Sequence, residues 1–352
     1  MKTLTISVVS LLCCMLSCVG ETRGFFSFNI ETFEKKIADA DVIRLDVRTA
    51  AEYAEGHLED AINIDVKKPD FVNLATSSLS REKTIAVYCR SGKRSKLASE
   101  LLVNSGYRVI ELNEGYLGWV KAGKPTSKEE VDLFTTPGGV NVYFYCIKHG
   151  SLKMRVGEKW IYVDPVTNAI PPITDYSTMP KADLILVTHE HFDHLDSLAI
   201  QQLTKKDTKL IVNPRCNELL GGLGEVMKNG DSKSLVDKWK VEAHPAYNTS
   251  AEKLQFHPKG RDNGYLLEID GLRIYIAGDT EDIPEMQELK NVDVAFLPCN
   301  LPFTMSPEQL ANAAKVIMPK VLFPYHYGKT DIQQVLKLLE NSDIDVRIRQ
   351  YQ

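Results

Sequence analysis

Three of the eight histidines in this 352-residue chain lie within six consecutive residues. The segment reads His-Glu-His-Phe-Asp-His, so His189, His191, Asp193 and His194 offer three imidazoles and a carboxylate at one place. The apolar run at residues 184–187 comes directly before it, which predicts a buried strand that ends at this cluster. Because α/β sheets place ligand sites at the carboxyl ends of strands, the cluster is predicted to bind a metal.

Four other apolar runs also end in a residue that can bind a metal, or support a ligand, and these residues are Asp164, His244, Asp279 and His326. The predicted ligands are His189, His191, Asp193, His194, His244, Asp279 and His326. Asp164 and Tyr325 are predicted to lie just outside this set. His149 and His257 follow no clear strand end, so they too are expected around the ligands rather than among them.

The donor set predicts the metals and their chemistry. Imidazoles and carboxylates without thiolates suit zinc, the ion we expect, with manganese and iron as alternatives. Five histidines and two aspartates are more than one catalytic ion can use, so two divalent ions about 3.5–4 Å apart are predicted. Such a pair lowers the pKa of bound water towards about 7 and polarises the bond under attack. Hydrolysis is the predicted reaction, with Asp193 as a catalytic residue as well as a ligand.

A second reactive position is Cys89, which follows the strand-like run at residues 84–88. The next residues are Arg90, Ser91, Gly92, Lys93, Arg94 and Ser95, and a helix-like segment follows at 96–104. Amide N–H groups and the positive end of a helix would surround the sulfur, together with three cationic side chains. Each of these effects favours thiolate over thiol, so Cys89 is predicted to be a nucleophile.

The chain is long enough for two domains, because single cores stop growing near about 250–300 residues. Residues 25–124 alternate short apolar runs with helix-period segments, which predicts a small α/β domain with a mostly parallel sheet. The polar and glycine-rich residues 125–138 are predicted to be a linker. Residues 139–352 are rich in strands with interleaved helices, which favours a sandwich of sheets covered by helices.

The first 24 residues form a basic start followed by an apolar stretch, which predicts an export signal. The stretch is shorter than the roughly 20 residues of a membrane span. Ser17 and Cys18 resemble the end of a bacterial lipobox, so we expect an envelope or periplasmic protein whose only membrane contact is a lipidated Cys18. Plain cleavage of the signal near Gly20 is the alternative. A net charge of −5 gives no reason to expect a nucleic-acid partner.

Residues 139–352 resemble the metallo-β-lactamase superfamily in three motifs: residues 188–194, Ala-Gly-Asp-Thr at 277–280, and Pro-Tyr-His-Tyr-Gly at 324–328. The likeness is strongest to the branch of ascorbate-6-phosphate lactonase-like and N-acylphosphatidylethanolamine phospholipase D-like hydrolases. It implies an αββα sandwich that hydrolyses an ester, lactone or phosphodiester. It also implies two ligand triads bridged by Asp279, namely His189, His191 and His244, and Asp193, His194 and His326. Asp279 stands where true β-lactamases often have cysteine, so antibiotic cleavage is not expected.

Residues 25–124 resemble a single-domain rhodanese. The likeness rests on the six-residue loop after Cys89, on Leu-Asp-Val-Arg at 45–48 and on Gly-Tyr-Leu-Gly-Trp at 115–119. It implies that Cys89 carries a persulfide, held by residues 90–95, between a sulfur donor such as thiosulfate and a nucleophilic acceptor.

The main hypothesis is therefore a bifunctional envelope enzyme with a sulfurtransferase module and a dinuclear hydrolase acting on small molecules. Two alternatives remain open at the level of sequence. Persulfide dioxygenases share the histidine cluster, bind one iron and occur fused to rhodaneses, although with the opposite domain order. A non-catalytic binding or sensor module is the other alternative.

Overall fold

The computed structural model describes residues 24–235 and 238–350. The predicted leader, including Cys18, lies outside the described residues apart from Gly24. Within the two described ranges, every helix is too short or too polar to cross a bilayer.

The N-terminal domain is built on a five-stranded parallel sheet in the order β1-β6-β5-β2-β4, with a separate β3-β7 pair. Alternate residues of β5 face opposite sides of this sheet, so Ile85 and Val87 join one core while Ala86 and Tyr88 join the other. The α/β prediction for this domain is confirmed. Its elements are β1 (Phe26–Phe28), α1 (Ile30–Ile37), β2 (Val42–Asp46), α2 (Ala50–Ala54), β3 (His57–Leu58), β4 (Ile62–Asn63), α3 (Phe71–Ser78), β5 (Thr84–Tyr88), α4 (Lys93–Asn104), β6 (Arg108–Leu112), α5 (Gly115–Lys121) and β7 (Thr126–Ser127).

The C-terminal domain contains fourteen strands and four α-helices among the described residues. They are β8 (Val131–Thr135), β9 (Asn141–Lys148), β10 (Ser151–Val156), β11 (Lys159–Val163), β12 (Leu184–Leu186), α6 (Ser197–Leu203), β13 (Lys209–Val212), α7 (Pro214–Leu219), β14 (Glu225–Val226), β15 (Ser232–Ser234), β16 (Trp239–Ala246), β17 (Asp262–Ile269), β18 (Leu272–Ile276), β19 (Val294–Pro298), α8 (Pro307–Ile317), β20 (Val321–Tyr325), α9 (Gln333–Leu338) and β21 (Asp345–Val346).

These strands form two seven-stranded mixed sheets, in the orders β14-β13-β12-β11-β10-β9-β8 and β15-β16-β17-β18-β19-β20-β21. Each sheet begins with antiparallel strands in chain order and ends with parallel ones. The inner faces meet in one apolar core that includes Phe144, Leu186, Phe296 and Phe323. Helices α6 and α7 cover the outer face of the first sheet, and α8 and α9 cover that of the second. The predicted αββα sandwich is confirmed.

The segment predicted as a linker, residues 125–138, contains strand β8, which pairs with β9 as the edge of the first sheet. Asp132 on this strand accepts hydrogen bonds from Arg347 and Arg349 at 2.7–2.8 Å. The pattern at residues 131–135 is apolar enough for a strand, but neighbouring glycine, proline and charged residues obscured it. The connection between the domains is therefore an integral part of the second sandwich.

The two domains share a packed interface. Val131, Leu133 and Tyr145 of the second domain lie in the same buried cluster as Ile62 and Phe71 of the first. At its border the Asp60 carboxylate accepts a hydrogen bond from Tyr145 at 2.5 Å and pairs with Arg155 at 2.8 Å. Apolar burial with a polar border fixes one domain against the other.

Replacing the central core residue Phe296 by alanine tests this packing. Its side chain is fully buried, with ring centroids 4.9 Å from Phe323 and 5.8 Å from Phe144. Phe296→Ala is expected to lower the free energy of unfolding by about 3–5 kcal/mol. Urea unfolding followed by circular dichroism measures the change, and Val316→Ala, on the exposed side of α8, is the control. Equal midpoints for the two variants would contradict the assigned core.

Candidate metal centre and cysteine site

The metal-binding side chains meet at one edge of the sandwich, where strands from both sheets end. The segment with His189 and His194 follows β12, Asp279 follows β18 by three residues, and His326 comes directly after β20. Three overlapping groups of potential ligand atoms lie here, each with its atoms within 4.8 Å of one another. They are His149, Asp193, His194 and His326; His189, His191 and His257; and His189, His194 and Asp279.

The group of His189, His191 and His257 contains three imidazoles. Nε2 of His189 lies 3.1 Å from Nδ1 of His191, and the ring of His257 has its centroid 4.8–5.0 Å from both rings. Three converging imidazoles match the ligand set of a catalytic zinc site that keeps one open position.

The group of His149, Asp193, His194 and His326 joins the two sheets. His149, in the tight turn between β9 and β10, places its Nε2 3.0 Å from Oδ2 of Asp193. Nε2 of His326 lies 3.6 Å from the same oxygen, and the ring centroids of His149 and His326 are 3.6 Å apart. His194 completes a set of three imidazoles and one carboxylate, which suits a second divalent cation.

Asp279 lies between the two groups. Its Oδ1 is 3.4 Å from Nε2 of His194, and its Oδ2 is 3.4 Å from Nε2 of His257 and 3.5 Å from Nε2 of His326. The carboxylate is 3% exposed, so these imidazoles surround it almost completely. From this position one carboxylate could contact cations held by both groups.

Two further buried carboxylates orient the histidines from behind. Asp164 accepts a hydrogen bond from Nδ1 of His194 at 2.8 Å and from the amide and hydroxyl of Thr188 at 2.7 and 2.6 Å. Asp262 lies 3.1 Å from Nδ1 of His257. In both pairs the bond at Nδ1 directs Nε2 at the centre, which is how carboxylate–histidine pairs support bound metals.

The backbone at this edge is strained. His149, Asp164 and His326 adopt left-handed conformations with φ of 50°, 43° and 50°. Such angles cost side-chain-bearing residues about 1–3 kcal/mol each and concentrate at functional sites. Gly150 next to them has no room for a side chain, because a Cβ atom there would lie 2.7 Å from the His194 ring. Close packing of the turn on His194 therefore requires glycine.

Protonation in this cluster favours cation binding at most positions. Burial lowers the pKa of His189 well below its ordinary value, and burial also lowers the pKa of His191 and His149. Burial would raise the pKa of Asp193 and Asp279, but neighbouring histidines outweigh it and lower the pKa of both carboxyls. For His194, burial lowers the pKa, while Asp279 and Asp164 outweigh it and raise the pKa to about 10. A cation would have to displace that proton.

Several buried ligand atoms have no hydrogen-bond partner, and this observation tests whether metals fit. They are Nε2 of His194, Oδ1 of Asp279, and both ring nitrogens of His326. Buried polar atoms are rarely left unsatisfied without a functional reason. The Nε2 atoms of His194 and His326 lie 3.4 and 3.5 Å from the Asp279 carboxylate, and this convergence of orphaned donors fits divalent cations.

His244 does not join the cluster, which corrects the ligand assignment implied by sequence resemblance. Strand β16 continues two residues beyond it to Ala246, so His244 is not at a strand end. The inward positions of this strand are Trp239, Val241 and Ala243, and the two-residue period turns His244 to the opposite face. There its Nε2 lies 3.7 Å from Glu242. His257 instead lies beside His189 and His191, where the sequence resemblance implied His244.

Two ligand candidates, His149 and His257, were expected only around the site, and tertiary structure places both within it. Neither follows an apolar run, so no local pattern distinguishes them.

Tyr325, by contrast, is buried in the core between the sheets, where it packs against Phe296. Glu281, which sequence reasoning missed, accepts hydrogen bonds from the amides of Thr249 and Ser250 at 2.7 and 2.6 Å. It thereby anchors the segment that leads to His257.

Cys89 lies at the carboxyl end of β5, below the loop of residues 90–95, and is 1% exposed. The carbonyls of Cys89 and Arg90 accept hydrogen bonds from the amides of Tyr116 and Leu117 at 2.8 and 3.0 Å. Gly115 makes this approach possible, with φ of 62° and the loop backbone 2.6 Å from where a Cβ would stand. The loop then enters α4, whose first amide groups have no intrahelical partner and can bind an anion.

Salt bridges hold this loop and its base in place. Arg94 makes a bidentate contact with Glu52 at 2.7 Å to each oxygen, so its guanidinium is fixed at the loop. Arg48 pairs with Asp46 at 2.6 Å and donates to the carbonyl of Gly56. Arg90, Ser91 and Lys93 are exposed on the loop. The arrangement places a cysteine beneath a loop whose amides and cationic side chains could bind an anion.

Comparison with known proteins identifies both domains. Residues 143–326 match the model of the β-lactamase superfamily domain, and residues 29–122 match that of the rhodanese-like domain. A UPF0173 metal-dependent hydrolase of Lysinibacillus sphaericus is 32% identical over 216 residues, covering 56% of this chain and 92% of its own length.

Two solved structures resemble the second domain. A protein described as a metal-dependent hydrolase, from Parabacteroides distasonis, is 51% identical with a TM-score of 0.61, over 64% of this chain and 100% of its own. A metallo hydrolase from Ignicoccus hospitalis is 26% identical with a TM-score of 0.51, over 60% of this chain and 95% of its own. This chain thus belongs to the β-lactamase superfamily through residues 143–326 and carries a rhodanese-like domain before it.

Proposed function

We propose that this protein is a bifunctional enzyme, in which a dinuclear metal-dependent hydrolase acts on an ester, lactone or phosphodiester and Cys89 transfers sulfur. The observation that supports the hydrolase most strongly is the buried Asp279 carboxylate between two groups of converging imidazoles. Relatives named as metal-dependent hydrolases, which align over most of their own length, support the same reaction class.

In the proposed hydrolase, His189, His191 and His257 would hold one cation, and His149, Asp193, His194 and His326 the other, with Asp279 shared. A bound pair of divalent ions, zinc being the first candidate, supplies a hydroxide nucleophile at neutral pH and polarises the substrate oxygen. The chain's own part is to fix the donors: Asp164 and Asp262 direct His194 and His257, and the strained strand ends hold the remainder.

For the N-terminal domain we propose sulfur transfer through a persulfide on Cys89. The loop amides, the N-terminus of α4 and Arg94 would bind the anionic part of a donor such as thiosulfate. The sulfur then passes to a nucleophilic acceptor. The loop of residues 90–95 has the length that the rhodanese resemblance implies, which supports sulfur transfer.

We also propose that residues 1–24 direct export and that lipidated Cys18 holds the protein at the membrane. The partners proposed are small molecules, a sulfur donor and a sulfur acceptor among them, and nucleic acid is not proposed as a partner. Radiolabelled palmitate incorporated into wild type, but not into Cys18→Ser, would support the anchor.

Metal content distinguishes the proposed ligands from the histidine that the structure excludes. Purified wild type is expected to hold about two zinc ions per chain by plasma mass spectrometry, the number required by a dinuclear site. His257→Ala and His326→Ala should each lose at least one ion and hydrolytic turnover, because each removes a converging donor. His244→Ala is the matched control and should keep both ions. A single iron ion in wild type would instead favour the dioxygenase alternative.

Asp164→Asn tests whether this carboxylate positions a ligand. The substitution keeps the side-chain shape but removes the charge that holds Nδ1 of His194. Losing such a partner is expected to weaken metal binding by about 10–100-fold. Competition against a chelator of known affinity measures the change, with the exposed Asp207→Asn as control. Equal affinities in both variants would show that Asp164 has no such role.

Cys89→Ser separates the two activities. Thiocyanate formation from thiosulfate and cyanide should fall to background, because serine cannot carry sulfane sulfur. Metal content and turnover of p-nitrophenyl ester and phosphodiester substrates should stay at wild-type values. Cys146→Ser, which alters a partly exposed thiol of the second domain, should retain both activities. Loss of both activities in Cys89→Ser would contradict two independent sites.

A further inference from the structure

A buried glutamate lies beside the Cys89 loop and has no role in either of the reactions proposed above. Glu111, on β6, is 0% exposed. Its Oε1 accepts a hydrogen bond from the hydroxyl of Ser95 at 2.6 Å, and its Oε2 accepts one from the hydroxyl of Ser27. Burying a carboxylate costs free energy unless hydrogen bonds or charges compensate, so the burial of Glu111 suggests a functional role.

The Ser95 hydroxyl links the glutamate to the sulfur. Its Oγ lies 3.4 Å from Sγ of Cys89. A hydroxyl has one proton to donate and can also accept. With that proton given to Glu111, the Ser95 oxygen is free to accept the proton of the Cys89 thiol.

Sheet geometry explains why these groups align. Glu111 stands beside Val87 on β5 and beside Ser27 on β1. Side chains two residues apart in a strand share a face, so Cys89, two residues beyond Val87, belongs to the same side of the sheet as Glu111. Helix α4 packs there and brings Ser95 between them. Strand β1 is the edge of the sheet, and Ser27 is exposed to solvent.

We infer that Glu111 is the base that takes the thiol proton of Cys89 through Ser95, and that Ser27 returns this proton to solvent. The inference rests on the proposed sulfur transfer and adds positioning and proton-transfer roles to it. Cys89 itself is almost completely buried, so an internal route to water is needed for its proton.

In the proposed step the Cys89 proton moves to Ser95 Oγ while the Ser95 proton moves to the Glu111 carboxylate. The sulfur lone pair attacks the sulfane sulfur of thiosulfate, and a sulfur–sulfur bond to Cys89 forms. The bond between the two sulfurs of thiosulfate breaks, and sulfite leaves with its electron pair. Glu111 then loses its proton through Ser27.

The charged groups around the Cys89 thiol allow a proton relay through Glu111 to be distinguished from an effect of its charge alone. The loop contributes the cations Arg90, Lys93 and Arg94, the last paired with Glu52 of α2, while β6 contributes Glu111. These cations are the same in every variant. A buried carboxylate acting only through its charge would disfavour thiolate, so its removal would speed the reactions of Cys89.

The test measures alkylation of Cys89 by iodoacetamide from pH 5 to 9, in full-length wild type, Glu111→Gln, Ser27→Ala and the exposed control Glu100→Gln. Loss of the base in Glu111→Gln should slow alkylation at pH 7 by about 100-fold, a typical contribution of general base catalysis. Its pH profile should move to higher pH. Ser27→Ala, at an exposed edge position, removes the proposed exit and should slow repeated turnover, measured as thiocyanate formation from thiosulfate and cyanide.

Unchanged or faster alkylation in Glu111→Gln would overturn the relay, and a thiocyanate turnover of Ser27→Ala equal to that of Glu100→Gln would overturn the exit route. Near-ultraviolet circular dichroism and metal content confirm that each variant is folded. Alkylation does not depend on sulfur transfer, so the two proposals fail separately. If wild type forms no persulfide with thiosulfate while the alkylation profiles still differ, sulfur transfer is wrong and the proton route stands.

Discussion

The hydrolase site depends on one buried carboxylate, that of Asp279, which lies within 3.4–3.9 Å of four histidine nitrogens. Imidazoles this close to one another in a buried place disfavour protonation of most of them, and the burial of His189 and His191 strengthens this effect. Only cations that the carboxylates and the neutral rings share would satisfy all these donors at once. The rest of the fold holds these donor atoms close together, although burying them in one place costs free energy.

Two sheets provide that convergence. Their inner faces bury aromatic and branched residues against each other, which fixes the relative position of the parallel strands in both sheets. Strand ends from one sheet then deliver His189 and Asp164, and those from the other deliver Asp279 and His326. Because the donors come from separate strands, the apolar core sets their distances. The left-handed residues at these ends are a local cost that the packing around them offsets.

The Cys89 site also gathers charged groups at a strand end, but it uses one parallel sheet and a helix N-terminus instead of two sheets. There a parallel sheet places the Cys89 sulfur at a strand end, and the N-terminus of α4 and the Arg94 guanidinium, fixed by Glu52, lie at the loop above it. Below it, two serine hydroxyls and Glu111 form a continuous hydrogen-bonded route from the sulfur to the edge of the sheet. Both sites therefore place their charged groups where strands end and surround them with partners contributed by neighbouring elements.

Local pattern was sufficient for the α/β class of the first domain, for the sandwich of the second, and for the segments at His189–His194 and Cys89, because strand and helix periods and motif spacing are short-range properties. It failed where side chains from distant segments had to be compared. His244 follows an apolar run, yet β16 continues past it and turns it away, whereas His149 and His257 come from a turn and a loop without any periodic pattern. Strand β8 was hidden by polar neighbours, and the link between Glu111 and Cys89 exists only because β5, β6 and α4 pack together. Which residues share a face of a sheet, and which loops fold back over its edge, is decided by long-range packing.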